Sequence, residues 1–281
     1  MAALLRRALT LSSLRTAFER VEQNNGQAGV DGVSVEKFAK NQALNLGQLQ
    51  NSVVAGRYQP QPLLRVWLPR EGRAPRPLGI PTVADRVLQT AVAQTINPLL
   101  EAEFEDCSFA YRQGRSVRMA VERISMLQRQ GYQWVVEADI ERFFDCIPHA
   151  RMLHELQATV ADADLVALVG AWLKAPVQDG KLLQPTVLGV PQGSPISPLL
   201  ANLYLDHLDD ALLDENLALV RYADDFIVLT KSRERAQEAV ELTQSVLQEL
   251  ELKLNPLKTR VVNFETGFRF LGWNFVRSLA A

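Results

Sequence analysis

Cysteine is nearly absent: Cys107 and Cys146 are the only two in 281 residues. Two thiols cannot staple a chain of this size, so a disulfide framework is excluded, and neither stands at a spacing that suggests zinc. The three histidines, His149, His154 and His207, also lack ligand spacing. Long apolar runs are missing too. The stretch from Leu199 to Leu205 is broken by Asn and Tyr and falls well short of the roughly 20 residues needed to cross a bilayer. The N-terminal Met1-Ala-Ala-Leu-Leu-Arg-Arg runs into helical spacing and not into an apolar signal core, which predicts a soluble, cytoplasmic protein without a membrane partner. A basic excess is absent as well: the net charge is −2, so any grip on a phosphate backbone must be local. There is no internal repeat or low-complexity tract, which leaves one compact unit as the default.

The chain does have material for a core, with 47% hydrophobic residues, enough to fold without staples or metals. A local basic run holds Arg65, Arg70, Arg73, Arg76 and Arg86 against only Glu71 and Asp85. Periodicity predicts an amphipathic helix over 4–22, a tight loop at Asn24-Asn25-Gly26 and Gly29 to Gly32, and a helix over 34–49 capped by Ser34. Pro and Gly exclude helix over 63–81, which reads as two strands joined by a turn. Helices follow over 83–100 and from Ser116 to about Gln130. A buried strand is predicted over 134–140, then helices over 151–175 and 198–213. A strand, a turn and a strand span 218–230, with a helix over 237–250 and short strands near Val261 and Phe270. Hairpins and helices are mixed without a βαβ rhythm, which indicates an α+β fold.

Two places concentrate acid where hydrophobic strands surround it. Leu219-Val-Arg-Tyr-Ala-Asp-Asp-Phe-Ile-Val-Leu229 puts Asp224 and Asp225 at the tip of an apolar hairpin. Charges so placed are costly unless a cation or donors compensate them, and neither residue belongs to the Asn-Gly pair that a plain tight turn favours. Asp139 closes the apolar run begun at Trp134, where a strand would deliver it to a sheet edge. If the two strands are neighbours, three carboxylates converge. Such a set suits two Mg²⁺ ions about 3.5–4 Å apart, which activate an attacking hydroxyl and stabilise a leaving pyrophosphate. An Asp-Asp pair in a turn is by itself explained by solvation; its companions change that reading.

Those companions resemble the reverse transcriptases. Tyr222-Ala-Asp-Asp225 looks like their catalytic box, and Asp139-Ile-Glu-Arg-Phe-Phe-Asp145 like their first acidic motif. Gly189-Val-Pro-Gln-Gly-Ser-Pro-Ile-Ser-Pro-Leu-Leu-Ala-Asn202 is similar to the stretch shaping the nucleotide pocket. Gly29-Val-Asp-Gly32, Arg76-Pro-Leu-Gly-Ile-Pro-Thr82, Phe109-Ala-Tyr-Arg-Gln-Gly-Arg-Ser116, Leu254-Asn-Pro-Leu-Lys-Thr259 and Phe270-Leu-Gly-Trp273 resemble the group II intron type. The likeness runs from about residue 24 to 275. It implies a right-hand polymerase fold in which an antiparallel palm sheet packs on helices. Residues 1–281 then form one reverse transcriptase domain with fingers near 1–104 and 151–190, palm near 105–150 and 191–281, and no thumb.

The resemblance also implies roles. Asp139 and Asp224 would bridge two Mg²⁺ ions, or Mn²⁺ in their place, with the Ile140 carbonyl as a further ligand and Asp225 in support. Phe144 matches the steric gate against a ribose 2′-hydroxyl, with Phe143 beside it as core. Arg70 and Arg76 align with the pair gripping the incoming triphosphate; Arg70 stands where lysine is more usual, and Arg73 is a rival. Gln192 matches the residue contacting the nucleotide sugar, and Gly193 would let backbone approach the base pair. Lys258 matches a proposed general acid toward pyrophosphate, and Phe270, Leu271, Gly272 and Trp273 the primer grip. The implied activity is RNA-directed DNA polymerisation, adding dNTPs to a primer 3′-hydroxyl on an RNA template. Intron mobility and CRISPR spacer acquisition beside an integrase are the implied settings, with a partner supplying the thumb. Two competing readings are an RNA-binding, maturase-like splicing cofactor and a template-independent nucleotidyltransferase in phage defence.

Overall fold

The computed structural model describes residues 2–276; the Arg73 side chain also lies outside the described set. The chain begins with α1 (Ala3–Ala8), α2 (Leu11–Asn24), α3 (Val35–Ala39), α4 (Gln42–Val54), the strands β1 (Leu63–Arg70) and β2 (Arg73–Ile80), and α5 (Val83–Glu103). It continues with α6 (Val117–Arg129), β3 (Trp134–Asp139), α7 (Phe143–Cys146), α8 (His149–Val160), α9 (Ala163–Leu173), β4 (Val177–Asp179) and β5 (Leu182–Gln184). Next come α10 (Ser197–Asp214), β6 (Ala218–Tyr222), β7 (Asp225–Thr230), α11 (Arg233–Glu249), β8 (Arg260–Asn263), β9 (Phe268–Phe270) and β10 (Trp273–Phe275). Two compact units result: Met1–Ala102 with Ile147–Leu200, and Glu103–Cys146 with Ala201–Ala281. The sequence-based division placed 191–200 with the palm. In the structure this stretch packs within the first unit, where the Gly79 amide donates to the Gln192 carbonyl at 2.8 Å and the Ser197 hydroxyl to the Pro191 carbonyl at 2.6 Å.

In the first unit, three of the predicted helices divide, two of them where a side chain caps the new start. The helix predicted over 4–22 breaks at Leu9-Thr10, because the Thr10 hydroxyl accepts the Ser13 amide and opens α2. The one over 34–49 keeps its Ser34 cap, on the Lys37 amide, but breaks after α3, and α4 then runs on to Val54. The one over 151–175 breaks at Ala161, whose φ of 50° ends α8. Asp162 then caps α9 through the Leu165 amide and also receives the Leu5 amide of α1, each at 3.0 Å. Helix α5 is buried on nearly every side, as expected for a helix inside a core. Its Asp85 accepts from the Tyr58 hydroxyl at 2.5 Å and the Thr82 hydroxyl at 2.7 Å, while Trp172 Nε1 donates to the Tyr58 hydroxyl at 2.9 Å. The β1–β2 hairpin forms as predicted, in a sheet of order β2-β1-β4-β5. The β4–β5 hairpin was not anticipated, although Asp179-Gly180, with Gly180 at φ 59°, carries a turn signal.

In the second unit, β6, β7, β3 and β8 form an antiparallel sheet in that order, with β3 between β7 and β8. Asp139 therefore ends an interior strand and not an edge strand. Alternation sends Val135, Val220, Ile227 and Leu229 to one face, where they pack with Ala120, Ile124 and Leu127 of α6 and the phenylalanines of β9 and β10. Val136, Phe226 and Val228 turn to the other face, and α11 packs on β3, β7 and β8. Helix α6 starts at Ser116, as predicted, and α11 starts at the Ser232 cap, four residues before the predicted 237. Both sheet faces being covered explains why the strands read as continuous apolar runs.

Candidate active site

The backbone of the second unit brings the three acids to one end of the sheet. Antiparallel pairing of β3 with β7 sets Asp139 directly across from Asp225, which places their Cβ atoms about 4.5–5.5 Å apart. Tyr222 pairs with Asp225, so the hairpin turn is Ala223-Asp224. Asp224 alone thus sits in the turn, and Asp225 is the first residue of β7. Only the first turn position has positive φ, Ala223 at 60°, a pattern that normally takes glycine. An L-residue there costs about 1–2 kcal/mol. The turn is held from beneath by Arg221, which is fully buried. Arg221 Nη1 donates to the Ala223 carbonyl at 3.3 Å and to Asn202 Oδ1 at 3.0 Å. Its Nε and Nη2 grip Asp209 at 2.7 and 2.5 Å. Burial opposes the charge on Arg221 and the facing Asp209 carboxylate more than restores it, so the guanidinium is held above its usual range.

Across the sheet end, the segment after α11 fastens onto Asp139. The Asn255 amide donates to the Asp139 carbonyl at 2.8 Å, and Glu141 donates to the Lys253 carbonyl at 2.8 Å. Asn255 Nδ2 and Lys258 Nζ both donate to Asp139 Oδ2, at 3.2 and 3.0 Å. The Asp225 carboxyl is pushed above its ordinary range by burial, then by Asp224 and Asp139, with Lys258 opposing. This is the signature of like charges that a cation would relieve. Among the described residues, no group of three or more His, Cys, Asp or Glu side chains is assembled to hold a metal ion; Asp139 is turned to Lys258. The acids fit a divalent-metal site in donor chemistry and backbone placement. Ile140, whose carbonyl was the further candidate ligand, is buried and bridges to Leu254. A groove of about 780 Å³ beside α11 is lined by Glu141, Leu252 and Leu254 among others, and by none of the three acids.

The remaining predicted residues fall in both units. Phe143 and Phe144 are both buried, with edge-to-face rings 5.1 Å apart. Leu271 and Gly272 make the β9–β10 turn, both at positive φ. Phe270 enters the core, while Trp273 stays 54% exposed and is available to a ligand. In the first unit, Arg76 Nε donates to Gln192 Oε1 at 2.6 Å. Gly193 has φ 115°, and a Cβ there would lie 2.9 Å from the Gly79 carbonyl oxygen, so glycine is required. Arg70 is exposed near the hairpin tip and donates from Nε to the Ala74 carbonyl at 3.3 Å.

Comparison with known proteins agrees with this arrangement. The family described as reverse transcriptase (RNA-dependent DNA polymerase) matches residues 68–275. The chain belongs to the reverse transcriptase family. It is 31% identical to Protein YkfC of Escherichia coli (strain K12), over 89% of this chain and 76% of that protein. It is 35% identical to the group II intron-encoded protein LtrA of Lactococcus lactis subsp. cremoris, over 65% of this chain but only 29% of that protein. Among solved structures, a chain of a partial Cas6-RT-Cas1--Cas2 complex aligns with TM-score 0.55 and 29% identity, over 89% of this chain and 42% of that one. Apo telomerase from Candida tropicalis aligns with TM-score 0.61 at 13% identity, a likeness of fold alone. The right-hand polymerase fold follows, and with it the antiparallel palm sheet of β6, β7, β3 and β8. No described helix is long and apolar enough to cross a membrane.

Sequence reasoning missed several residues around this candidate site. Arg221 was read only as part of a strand, Asn202 was quoted within a motif but given no role of its own, and Asp209 was not read at all. A charged residue inside the apolar run Leu219 to Leu229 was the available signal, since such a charge needs a buried partner. Asn255 was quoted within a motif but given no role. His149 was noted only for lacking ligand spacing; it is buried, and its Nε2 meets the Gly189 carbonyl at 2.8 Å, bracing the segment that leads to Gln192.

Proposed function

We propose that this chain catalyses RNA-templated DNA synthesis, with Asp139, Asp224 and Asp225 holding two Mg²⁺ ions. The observation that carries this reading is the β3–β7 register, which sets Asp139 against Asp225 with Asp224 in the adjoining turn. Bound divalent ions supply Lewis-acid stabilisation of the attacking 3′-hydroxyl and of the pyrophosphate. The chain's own groups do the rest. Arg76, with Arg70, pairs with triphosphate oxygens, and Gln192 meets the sugar. Phe144 presents its ring against a 2′-hydroxyl, the Ile140 carbonyl offers oxygen to a metal, and Lys258 delivers a proton to pyrophosphate. The strand ends at Trp273 steady the primer. Such positioning and electrostatic stabilisation account for most of the rate in phosphoryl-type transfers.

Primer extension on RNA with Mg²⁺ and dNTPs tests this reading. Asp224→Asn with Asp225→Asn should abolish extension, and Phe144→Ala should admit ribonucleotides; extension surviving the double substitution refutes the site. Product sequences complementary to the template separate this activity from template-independent addition. Kinship with LtrA and with a chain of the Cas6-RT-Cas1--Cas2 complex supports a setting in which RNA is copied for insertion into DNA, either intron mobility or spacer acquisition beside an integrase. Co-purification with an integrase, against binding of a structured intron RNA, distinguishes the two.

A further inference from the structure

Asp139 presents one oxygen to two donors, and they come from the same short turn. Asn255 Nδ2 lies 3.2 Å and Lys258 Nζ 3.0 Å from Asp139 Oδ2. Asn255 also orders the turn that carries the lysine. Its Oδ1 accepts the Leu257 amide at 3.1 Å, and its carbonyl accepts the Lys258 and Thr259 amides at 3.2 and 2.9 Å. The Asn255 amide is in turn fastened to the Asp139 carbonyl at 2.8 Å. The lysine is therefore tied to the end of β3 through main chain, while its side chain remains 60% exposed.

We infer that Lys258 is the resident counterion of Asp139, which an arriving divalent cation displaces, and that Asn255 is the positioning residue that makes this exchange local. This rests on Asp139 being a metal ligand. An ammonium at 3.0 Å already neutralises the carboxylate. A divalent ion bringing twice the charge and direct oxygen ligation can replace it, and two cations sharing one carboxylate repel each other. Lys258 then leaves Oδ2, while the Asn255 main-chain contact keeps the turn in place. The freed ammonium carries its proton within reach of the same strand end. Release of the ammonium from Asp139 is thus coupled to metal loading. Asn255 sets how far the ammonium can withdraw.

Isothermal titration of the full chain with Mn²⁺ alone, without nucleotide or primer, reads this exchange directly. Lys258→Met removes the competitor and should tighten Mn²⁺ binding about two- to fivefold, the range set by an exposed ion pair. Lys258→Arg keeps a cation at the turn and should bind Mn²⁺ as the wild type does. Lys258 is exposed, so thermal unfolding of both variants should match the wild type. Unchanged or weaker Mn²⁺ binding by Lys258→Met overturns the inference, provided that Asp224→Asn with Asp225→Asn still weakens binding. If that acidic pair has no effect on Mn²⁺, the metal-site reading itself fails and the exchange fails with it. The Asn255 role is tested by Asn255→Ser, which keeps an oxygen acceptor for the Leu257 amide and adds no charge but is too short to donate to Asp139. It should loosen Lys258 and change Mn²⁺ affinity without lowering the melting temperature; no change in affinity refutes the positioning role.

Discussion

Replacing Arg221 by methionine offers a quantitative test of how the Ala223-Asp224 turn is supported. Arg221 and Asp209 are both fully buried, and the contacts of 2.5–3.0 Å between them form a two-nitrogen grip. Breaking a buried pair leaves one charge uncompensated, at a cost of about 3–5 kcal/mol. Asn202 Oδ1 and the Ala223 carbonyl also lose their donor, and each unsatisfied acceptor adds about 1–3 kcal/mol. Arg221→Met with Asp209→Leu removes both charges and leaves only the second penalty. The double variant is therefore expected to be more stable than Arg221→Met alone by about 3–5 kcal/mol. Urea unfolding followed by circular dichroism gives both values. For a chain of this size the charge penalty alone should lower Tm by roughly 6–20 °C, and the two orphaned acceptors add to that. A double variant no more stable than Arg221→Met would refute the claim that an orphaned Asp209 charge dominates the loss.

Two further substitutions, one in each unit, carry expectations of their own. Asp206, beside Asp209 and Asp210 on α10, is pushed up to about 7 by burial and then by those two carboxylates, against the pull of Arg221. Because its folded pKa is raised, the stability it contributes is full below about pH 4 and is lost as pH rises through about 7. Asp206→Asn should then stabilise the chain at pH 8 by about 1–2 kcal/mol, discounted for its partial solvent access, and leave it little changed at pH 4. Thermal melts at the two pH values decide it, and equal shifts at both would count against the assignment. Gly193→Ala should move the Gln192 turn off β2, since the added Cβ meets the Gly79 carbonyl oxygen at 2.9 Å. Primer extension should fall about ten- to a hundredfold, and retention of full activity would show that the turn tolerates displacement.

The strands and the order of motifs were legible because short apolar runs and turn chemistry are local properties. The buried run Trp134 to Asp139 and the hairpin Ala218 to Thr230 appear where apolarity and turn signals put them. Pairing of β3 with β7 is a long-range register that no local pattern specifies, so convergence of the acids remained conditional until the fold was known. Helix ends at Thr10 and Asp162 escaped periodicity because each is decided by one capping side chain. Three-residue strands such as β4 and β5 fall below any window in which alternation can be counted. Arg70, Arg76 and Gln192 were named on resemblance; the Arg76–Gln192 contact adds a geometric reason to treat the last two together.

The supports of the acidic turn explain why its motif alone says so little. A strained Ala223 at φ 60° persists only where surroundings over-determine it. Here the surroundings are a buried guanidinium beneath the turn and paired strands on both sides of it. The Arg221 main chain adds to this, its amide donating to the Cys107 carbonyl at 2.8 Å and its carbonyl accepting the Phe109 amide at 2.9 Å. Asp224 is thereby projected by a rigid base, and Asp139 is held from the opposite side by the Asn255 turn. Precision in such a site comes from residues that never touch the reacting atoms. Substitutions at Arg221, Asp209 and Asn255 should consequently separate into two classes. The buried pair moves stability and activity together, whereas Asn255 moves metal affinity while the melting temperature stays fixed.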